Sequence, residues 1–568
     1  MDGEPSVAIF GGGIGGLSAA HELAERGIPV TVYDTRDAFG GKARSVPIGG
    51  QAASHQVTEP AADLHGEHGF RFFPAFYRNV TDTMERIPYG ESGRVSDNLV
   101  PTEETLIAKV TGEEMRALTR TPRSIREWVQ LLEPNIGGAD VPQREVRYFL
   151  RRLLVLLTSS DRRRERQWEG TSWWSFIGAD DHSPAYRKYL AQSTQALVAL
   201  RPQLGSARTI GLIYLQLLLG QLDPSGPAER VLNGPTSEAW IGPWVEYLKG
   251  MGVEFRPGAA LTELSVADGR ISGATIQVNG RTETVTADYY LVAVPVEVLQ
   301  GLVTEPLRRA APSLGRIHRL ETAWMSGIQF YLDEPVPVVR GHTVYSDSPW
   351  ALTSISQGQF WESGDFDLAD RSDGAVAEVL SVIASDWETP GVVYGKPARD
   401  CTPEQIKTEI WAQVTQHLNR AGQTRLDESH LVDWFLDPEL VPTTEGVDNR
   451  APLFINTVGS LPDRPEAGTE IENLLIAGDF VRTESDLATM ESANEAARRA
   501  VNALIDRAGL SAPACEVWGL EEPAIFEPLR RQDAVNYRLG LPHPGETERS
   551  VRRFVDGVAP RVTGLARR

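Results

Sequence analysis

Ser6-Val-Ala-Ile-Phe10-Gly11-Gly-Gly-Ile-Gly-Gly16 is the stretch of sequence that decides the fold of this chain. It is followed by a run with helical spacing to Arg26, a stop at Gly27, and Val30-Thr-Val-Tyr-Asp34. The order is strand, glycine turn, helix and a second strand that ends in an acid. This order predicts a Rossmann-type dinucleotide-binding unit.

The glycines of this turn have separate tasks. Gly11 makes the tight turn, Gly13 lets backbone N–H groups approach a pyrophosphate, and Gly16 lets the helix pack on the strand. The helix begins at Ile14-Gly15, and its positive end would face the pyrophosphate. Asp34 is placed to accept hydrogen bonds from a ribose diol.

A second glycine turn, Gly40-Gly41-Lys42-Ala43-Arg44-Ser45, follows five residues after Asp34. A simple NAD site has no need of it. The arrangement resembles the superfamily of flavin amine oxidases and carotenoid (phytoene and zeta-carotene) desaturases, where a Gly-Gly-Arg/Lys turn continues the FAD site. The resemblance implies that the cofactor is FAD and that Gly40, Gly41, Lys42 and Arg44 contribute to its site.

The next segment contains Gly66-Glu67-His68 and Tyr77-Arg78-Asn79. It resembles the Gly-x-His run followed by aromatics and Tyr-x-Asn of carotenoid desaturases, although the gap after His68 is about three residues longer than the resemblance predicts. In this superfamily the segment lies beside the flavin ring. Phe70 and Arg71 are therefore candidate cofactor contacts.

A second strong motif lies near residue 480. The buried run Asn473–Phe480 ends in Ala477-Gly478-Asp479, and Ala488-Thr-Met490-Glu491-Ser492-Ala493 opens a helix of small residues. A carboxylate at Asp479 would accept from the ribityl chain, and the helix dipole at Met490, Glu491 and Ser492 would stabilise the reduced ring. The motif resembles the desaturase form, with Ser492 in place of a glycine. The resemblance also implies a contact between the adenine and the backbone near Val253.

These motifs predict an α/β fold with a glutathione-reductase-like, discontinuous FAD-binding domain and a mixed α+β substrate domain. The FAD-binding domain is expected to comprise residues 1–100, 235–300 and 455–507. The substrate domain is expected to comprise residues 101–234 and 301–454, and residues 508–568 form a C-terminal extension. Apolar residues recur at helical spacing between about 100 and 232, and Ile210–Gly220 reads as a buried helix or channel wall. Asp268-Gly269 and Asn279-Gly280 are two hairpin signals.

Composition excludes several classes of function. The net charge of −21 argues against a nucleic-acid partner. Cys401 and Cys515 are far apart and lack metal-ligand spacing, which favours a reducing compartment and no metal site. The segment Met1–Ser6 does not read as a secretion signal, and no apolar run is long enough to cross a bilayer. We expect a cytoplasmic protein.

Arginine is unusually dense between Arg116 and Arg166, where the sequence also has apolar runs and leads to Trp168, Trp173 and Trp174. Such a mixture is typical of a segment that docks on a membrane surface. A solvated helical face over a core stripe is the plainer interpretation. The sequence leaves both open.

The leading functional hypothesis is an FAD-dependent desaturase that acts on a small apolar, isoprenoid-like or lipid-like substrate, with a quinone or oxygen as electron acceptor. A proton acceptor, if the reaction uses one, would be Glu67, His68 or Glu491. The alternatives are an amine or amino-acid oxidase, a flavin-dependent double-bond isomerase, and an FAD-bound lipid-binding module without turnover.

Overall fold

The fold was analysed in a computed structural model that describes residues 4–48, 64–119, 141–192, 195–223, 226–336, 338–361, 366–372, 374–420 and 423–546. Ten α-helices of six residues or more occur in these ranges. They are α1 (Ile14–Ala24), α2 (Asn79–Arg86), α3 (Gln143–Leu157), α4 (Ala207–Leu222), α5 (Gly242–Gly250), α6 (Val296–Leu302), α7 (Glu305–Ala310), α8 (Pro403–Leu418), α9 (Met490–Ala508) and α10 (Glu527–Arg538).

A five-stranded parallel sheet is built from distant parts of the chain. Its strands, in spatial order, are Glu254–Arg256, Val30–Tyr33, Val7–Phe10, Tyr289–Val292 and Leu474–Ile476. The central strand is buried at every position, as expected for a parallel sheet that is covered on both faces. The fold is therefore the predicted α/β dinucleotide-binding type.

A seven-stranded sheet forms the second layer of the molecule. In spatial order it contains Glu114–Leu118, Glu104–Ala108, His342–Tyr345, Thr353–Ser356, Glu378–Ala384, Ser326–Leu332 and Leu431–Leu436. Its pairs are antiparallel except for the parallel pair between His342–Tyr345 and Glu104–Ala108. The helical pattern predicted from residue 100 onward is wrong at its start, because the first two of these strands lie there.

Smaller sheets complete the architecture. The strands Ala259–Ala267, Arg270–Val278 and Arg281–Val285 form an antiparallel meander, and Phe73–Pro74, Glu229–Leu232 and Leu99–Pro101 form a three-stranded sheet. Two-stranded pairs join Ser45–Pro47 to His65–Glu67, Pro88–Tyr89 to Gly93–Arg94, Glu321–Ala323 to Leu453–Ile455, and Leu440–Pro442 to Val447–Asn449.

The C-terminal extension packs against the arginine-rich region. Arg163 donates from Nε to both oxygens of Asp533 on α10, at 2.9 and 3.1 Å, and both side chains are buried. Arg164 pairs through Nη1 with Glu522, which precedes α10 and is 27% exposed. The arginine-rich region between Arg116 and Arg166 is therefore partly buried against the extension, and neither a solvated helical face nor a membrane-docking segment describes all of it. Arg144 and Arg147 on α3 are exposed, whereas Arg120, Arg123 and Arg126 lie outside the described residues.

Candidate functional site

The glycine turn after the first strand forms one end of a large cavity. Gly11 adopts a left-handed φ of 105°, and a Cβ there would lie 2.4 Å from the carbonyl oxygen of Ala293. A Cβ on Gly16 would lie 1.8 Å from the carbonyl oxygen of Gly11, so this position packs α1 onto the strand. Gly13, Ile14 and Gly15 line the cavity. The N-terminus of α1 therefore opens into space that suits a pyrophosphate.

The acid at the end of the second strand is buried in the cavity wall. One oxygen of Asp34 accepts from the Gly12 N–H at 2.7 Å, and the other accepts from the Arg36 N–H at 2.8 Å. An ionised carboxylate has about four acceptor sites. Two therefore remain for a ribose diol, which is the role predicted for Asp34.

The second glycine turn stacks directly on the first. Gly40 and Gly41 have φ values of 106° and 58°, and the Gly40 N–H donates to the Gly12 carbonyl at 2.7 Å. A Cβ on Gly41 would lie 3.0 Å from the Cα of Gly13. Lys42 lines the cavity and pairs with Glu297 at 3.7 Å. Arg44 does not line the cavity, and instead closes the turn by donating to the Gly41 carbonyl at 2.8 Å.

The second motif brings the far end of the chain to the same place. Gly478, Asp479 and Met490 line the cavity, and a Cβ on Gly15 would lie 3.5 Å from the Gly478 N atom. Burial raises the pKa of Asp479, against the opposing effect of Lys42 and Arg464. Ser492 does not line the cavity. Its N–H donates to the hydroxyl of Thr489, which caps the N-terminus of α9. The dipole of α9 is thus directed at the cavity.

Two of the three acid–base candidates, Glu67 and Glu491, are hydrogen-bonded to other groups of the protein. The Glu491 carboxylate accepts from the backbone N–H groups of Arg78, Asn79 and Val80 at 2.8–2.9 Å, which are the open donors at the start of α2. Burial raises the pKa of Glu491 to about 7, although these donors oppose the shift. Glu67 accepts from the Ser45 hydroxyl at 2.9 Å and from the Thr236 N–H at 2.7 Å. Neither carboxylate lines the large cavity.

His68 is the acid–base candidate that lines the cavity, and it belongs to a pair. Its Nδ1 is hydrogen-bonded to Asp437, which is 3% exposed. Burial favours the neutral acid, but the interaction with His68 and the N–H of Glu439 lower the pKa of Asp437 below its usual range. Sequence reasoning missed Asp437 because it follows His68 by 369 residues and carries no local motif.

Phe70 and Arg71 both line the cavity, as predicted for residues next to the cofactor. Arg71 donates to the Lys42 carbonyl at 2.9 Å, while its Nε is buried without a partner among the described residues. Burial lowers the pKa of Arg71 despite the carboxylates of Glu67 and Asp437. An unpaired buried N–H beside the glycine turns fits a site whose polar partner is a bound ligand.

Val253, where a contact with the adenine is predicted, does not line the cavity. Val253 is 6% exposed and packs in the core before its strand begins. The cavity wall is formed instead by Ala259, Ala260 and Leu261, which follow the strand Glu254–Arg256. The Asp34 N–H donates to the Arg256 carbonyl at 3.1 Å and the Ala259 N–H donates to the Asp34 carbonyl at 2.7 Å, so this segment packs directly beside Asp34.

The cavity continues from these glycine turns into an apolar arm. Its volume is about 2310 Å³, against roughly 300–1,000 Å³ for a typical small-molecule site. α4, predicted as a buried helix or channel wall, lines one side with Ile213, Tyr214 and Leu217. α3 and the seven-stranded sheet line the others, with Phe149 and Val344 among the contributors. A cavity of this volume has room for a dinucleotide together with a long apolar molecule.

Comparison with known proteins gives a consistent picture. The model of the family described as flavin-containing amine oxidoreductase matches residues 14–505. Carotenoid phi-ring synthase from Streptomyces griseus is 25% identical over 539 residues, which cover 94% of this chain and 93% of that protein. Zeta-carotene desaturase from Synechocystis sp. is 23% identical over 520 residues, 88% and 97% of the two chains.

Solved structures agree on the fold. Cyclohexylamine oxidase from Brevibacterium oxydans superimposes with a TM-score of 0.60 at 12% identity, covering 89% of this chain and 99% of that one. Putrescine oxidase gives a TM-score of 0.58 at 14% identity, with the same coverage. The glycine turns, Asp34, and the Gly478–Asp479 edge fit FAD, and the protein is an FAD-dependent oxidoreductase. The chain belongs to the flavin-containing amine oxidoreductase family.

Proposed function

We propose that the protein is a desaturase of an apolar, isoprenoid-like substrate. The observation that carries this proposal is the continuity of the cavity, which runs from the glycine turns past Phe70 into an arm walled by Phe149, Tyr214 and Val344. Such a wall offers area for burying a long hydrocarbon, and apolar burial is the main source of affinity for such a ligand. The names of the relatives, a carotenoid phi-ring synthase and carotene desaturases, support the same substrate class.

The residues proposed to hold FAD are those around the two glycine turns and the Gly478 edge. Gly11, Gly13, Ile14, Gly15 and Gly16 would form the pyrophosphate cradle, and Asp34 would hold the ribose. The other proposed contributors are Gly40, Gly41, Lys42, Arg44, Phe70, Arg71, Gly478, Asp479, Met490, Glu491 and Ser492, of which Arg44, Glu491 and Ser492 act from behind the wall. Bound FAD supplies a hydride acceptor.

The chain's own contribution to desaturation is orientation, exclusion of water and removal of a proton. The apolar arm fixes the substrate beside the cofactor and keeps water away from it. His68 is the proposed proton acceptor, because it lines the cavity and its ring is held in place by the hydrogen bond between Nδ1 and Asp437. Glu67 and Glu491 are proposed to support the site structurally.

Anaerobic mixing tests this function. We expect an isoprenoid with saturated carbon–carbon bonds to bleach the visible absorbance of the oxidised enzyme, with a product that contains one more double bond. Bleaching by primary amines and none by isoprenoids would refute the proposal in favour of an amine or amino-acid oxidase. Product formation without bleaching would favour an isomerase, and binding without either would favour a lipid-binding module.

We also propose that the protein works in the cytoplasm at a membrane surface, where its substrate would dissolve, with a quinone or oxygen as the final acceptor. None of the described helices is both long and apolar enough to cross a membrane. On α3, Leu150 is 38% exposed and lines the cavity, and the exposed Arg144 and Arg147 lie on the same helix. This combination suits an entrance that rests on anionic lipid.

Vesicle sedimentation tests the membrane contact. The protein should sediment with vesicles containing anionic lipid at low salt, and Arg144→Glu with Arg147→Glu should release it. The matched control is Arg308→Glu with Arg309→Glu on α7, which changes the same charge on another exposed helix. Equal sedimentation of both double variants would refute the contact.

A further inference from the structure

Two residues outside the predicted site form a polar pair in the cavity wall. Glu229 and His342 both line the cavity, and His342 Nδ1 lies 3.1 Å from Glu229 Oε2. The imidazole is packed between aromatic rings, with centroid distances of 5.0 Å to Phe70 and 4.8 Å to Phe72. The pair therefore lies next to Phe70, in the segment proposed to contact the cofactor.

The hydrogen bonding of this pair is incomplete. Thr102 also donates to Oε2 of Glu229, at 3.3 Å, and no hydrogen bond in the described part of the chain uses Oε1. His342 is 8% exposed, and its Nε2 is buried without a partner among the described residues. A buried ring nitrogen with a purely structural role would have a hydrogen-bond partner. The unpaired Nε2, next to the unused Oε1, points to a partner that the described part of the protein does not supply.

The pattern of donors and acceptors defines that partner. In the tautomer whose Nδ1–H donates to the carboxylate, His342 Nε2 is an acceptor, and Glu229 Oε1 is an acceptor as well. A hydrocarbon would leave both atoms desolvated and unpaired, and a carbonyl group would add a third acceptor. A hydroxyl group supplies the donor that the pair lacks.

We propose that Glu229 and His342 bind a hydroxyl group carried by an otherwise apolar isoprenoid substrate. This inference rests on the proposed function and narrows its substrate class. A site that is built to hydrogen-bond a hydroxyl group rejects the analogue that lacks it, because its own polar atoms are then left unpaired. The pair would act on specificity and would leave the chemistry to the residues beside the cofactor.

The test is anaerobic binding of three probes with the same saturated isoprenoid skeleton: the hydrocarbon, its alcohol and its ketone. Binding is followed by quenching of tryptophan fluorescence in the FAD-loaded protein, which needs no turnover. The alcohol should bind roughly 10- to 100-fold more tightly than the hydrocarbon or the ketone, as expected for one hydrogen bond to a charged or buried acceptor.

Two variants and a control complete the experiment. Glu229→Gln should turn an amide N–H₂ toward the cavity and shift the preference from the alcohol to the ketone. His342→Phe should reduce the preference for the alcohol at least threefold while hydrocarbon binding stays within threefold of the parent. Glu113→Gln, a carboxylate of the same cavity that is paired with Lys109, should leave all three affinities unchanged.

The outcomes separate this inference from the proposed function. Equal binding of the three probes, or variants that leave the preference intact, would overturn the hydroxyl site while the desaturase proposal stands. Failure of all three probes to bind would overturn both. Loss of flavin reduction in His342→Phe with unchanged binding would also overturn the inference, because His342 would then act in the chemistry.

Discussion

Alanine at Gly13 should weaken FAD binding, whereas alanine at Gly16 should destabilise the fold, although the two glycines belong to one turn. Gly13 has φ −77° and ψ −171°, which alanine adopts without strain, and the nearest atom to its Cβ would be the Gly41 Cα at 3.7 Å. We expect Gly13→Ala to change the free energy of unfolding of the FAD-free protein by no more than about 0.5 kcal/mol.

The cost of Gly13→Ala should appear in FAD binding. The new methyl group stands on the cavity wall that the pyrophosphate must approach. Loss of one charge-assisted hydrogen bond costs about 1.5–3 kcal/mol, which corresponds to FAD binding that is weaker by roughly 10- to 150-fold. The thermal midpoint should therefore rise less with added FAD than it does for the parent.

Gly16→Ala should instead lower the free energy of unfolding of the FAD-free protein. Its Cβ would lie 1.8 Å from the Gly11 carbonyl oxygen, so α1 and the turn must separate by more than about 1 Å. Overpacking of this kind costs about 1–3 kcal/mol or more, and urea unfolding of the FAD-free protein should show it. The reasoning is refuted if Gly16→Ala is as stable as the parent, or if Gly13→Ala binds FAD with parental affinity.

Three further predictions concern the acid range, the proton acceptor and the C-terminal extension. Burial opposes ionisation of Glu22, but Arg498, Arg86 and Arg26 together lower the pKa of this group to about 2. The ionised Glu22 therefore stabilises the fold by at most about 3 kcal/mol; this contribution is present above pH about 4.5 and is lost as the pH falls through about 2. Glu22→Gln should flatten that part of the stability profile measured by urea unfolding. His68→Ala should slow anaerobic flavin reduction by roughly 10²- to 10⁴-fold at unchanged FAD content, with His318→Ala as control, and an unaltered rate would remove His68 as the proton acceptor. Asp533→Ala leaves Arg163 buried and unpaired and should cost about 3–5 kcal/mol by urea unfolding, whereas a loss below about 1 kcal/mol would contradict the burial of this pair.

Features set by neighbouring residues could be predicted from the sequence. Asp268-Gly269 and Asn279-Gly280 have φ values of 50° and 74°, and of 50° and 73°, which are the left-handed pairs that the two hairpins require. The helix predicted after Ala488 begins at Met490 and ends before Gly509, which has φ 63°. In each case the turn or cap chemistry is complete within a few residues.

Features that depend on the packing of distant segments could not be predicted. The carboxylate of Glu491 is adjacent in sequence to the cavity-lining Met490 but caps α2, more than 400 residues upstream. Glu229 and His342 are 113 residues apart, and each on its own reads as an ordinary strand residue. Domain boundaries and the full set of cofactor contacts stay predictions.

The order of strands in the parallel sheet has a consequence for synthesis of the protein. The strand Leu474–Ile476 is added at the edge beside Tyr289–Val292, and the loop after it supplies Gly478 and Asp479 to a turn made at the start of translation. At roughly 5–20 residues per second, the ribosome needs on the order of half a minute to a minute and a half to deliver that loop. During this interval the nascent chain lacks the Gly478–Asp479 part of the cofactor site, so we expect complete FAD binding to come late in folding.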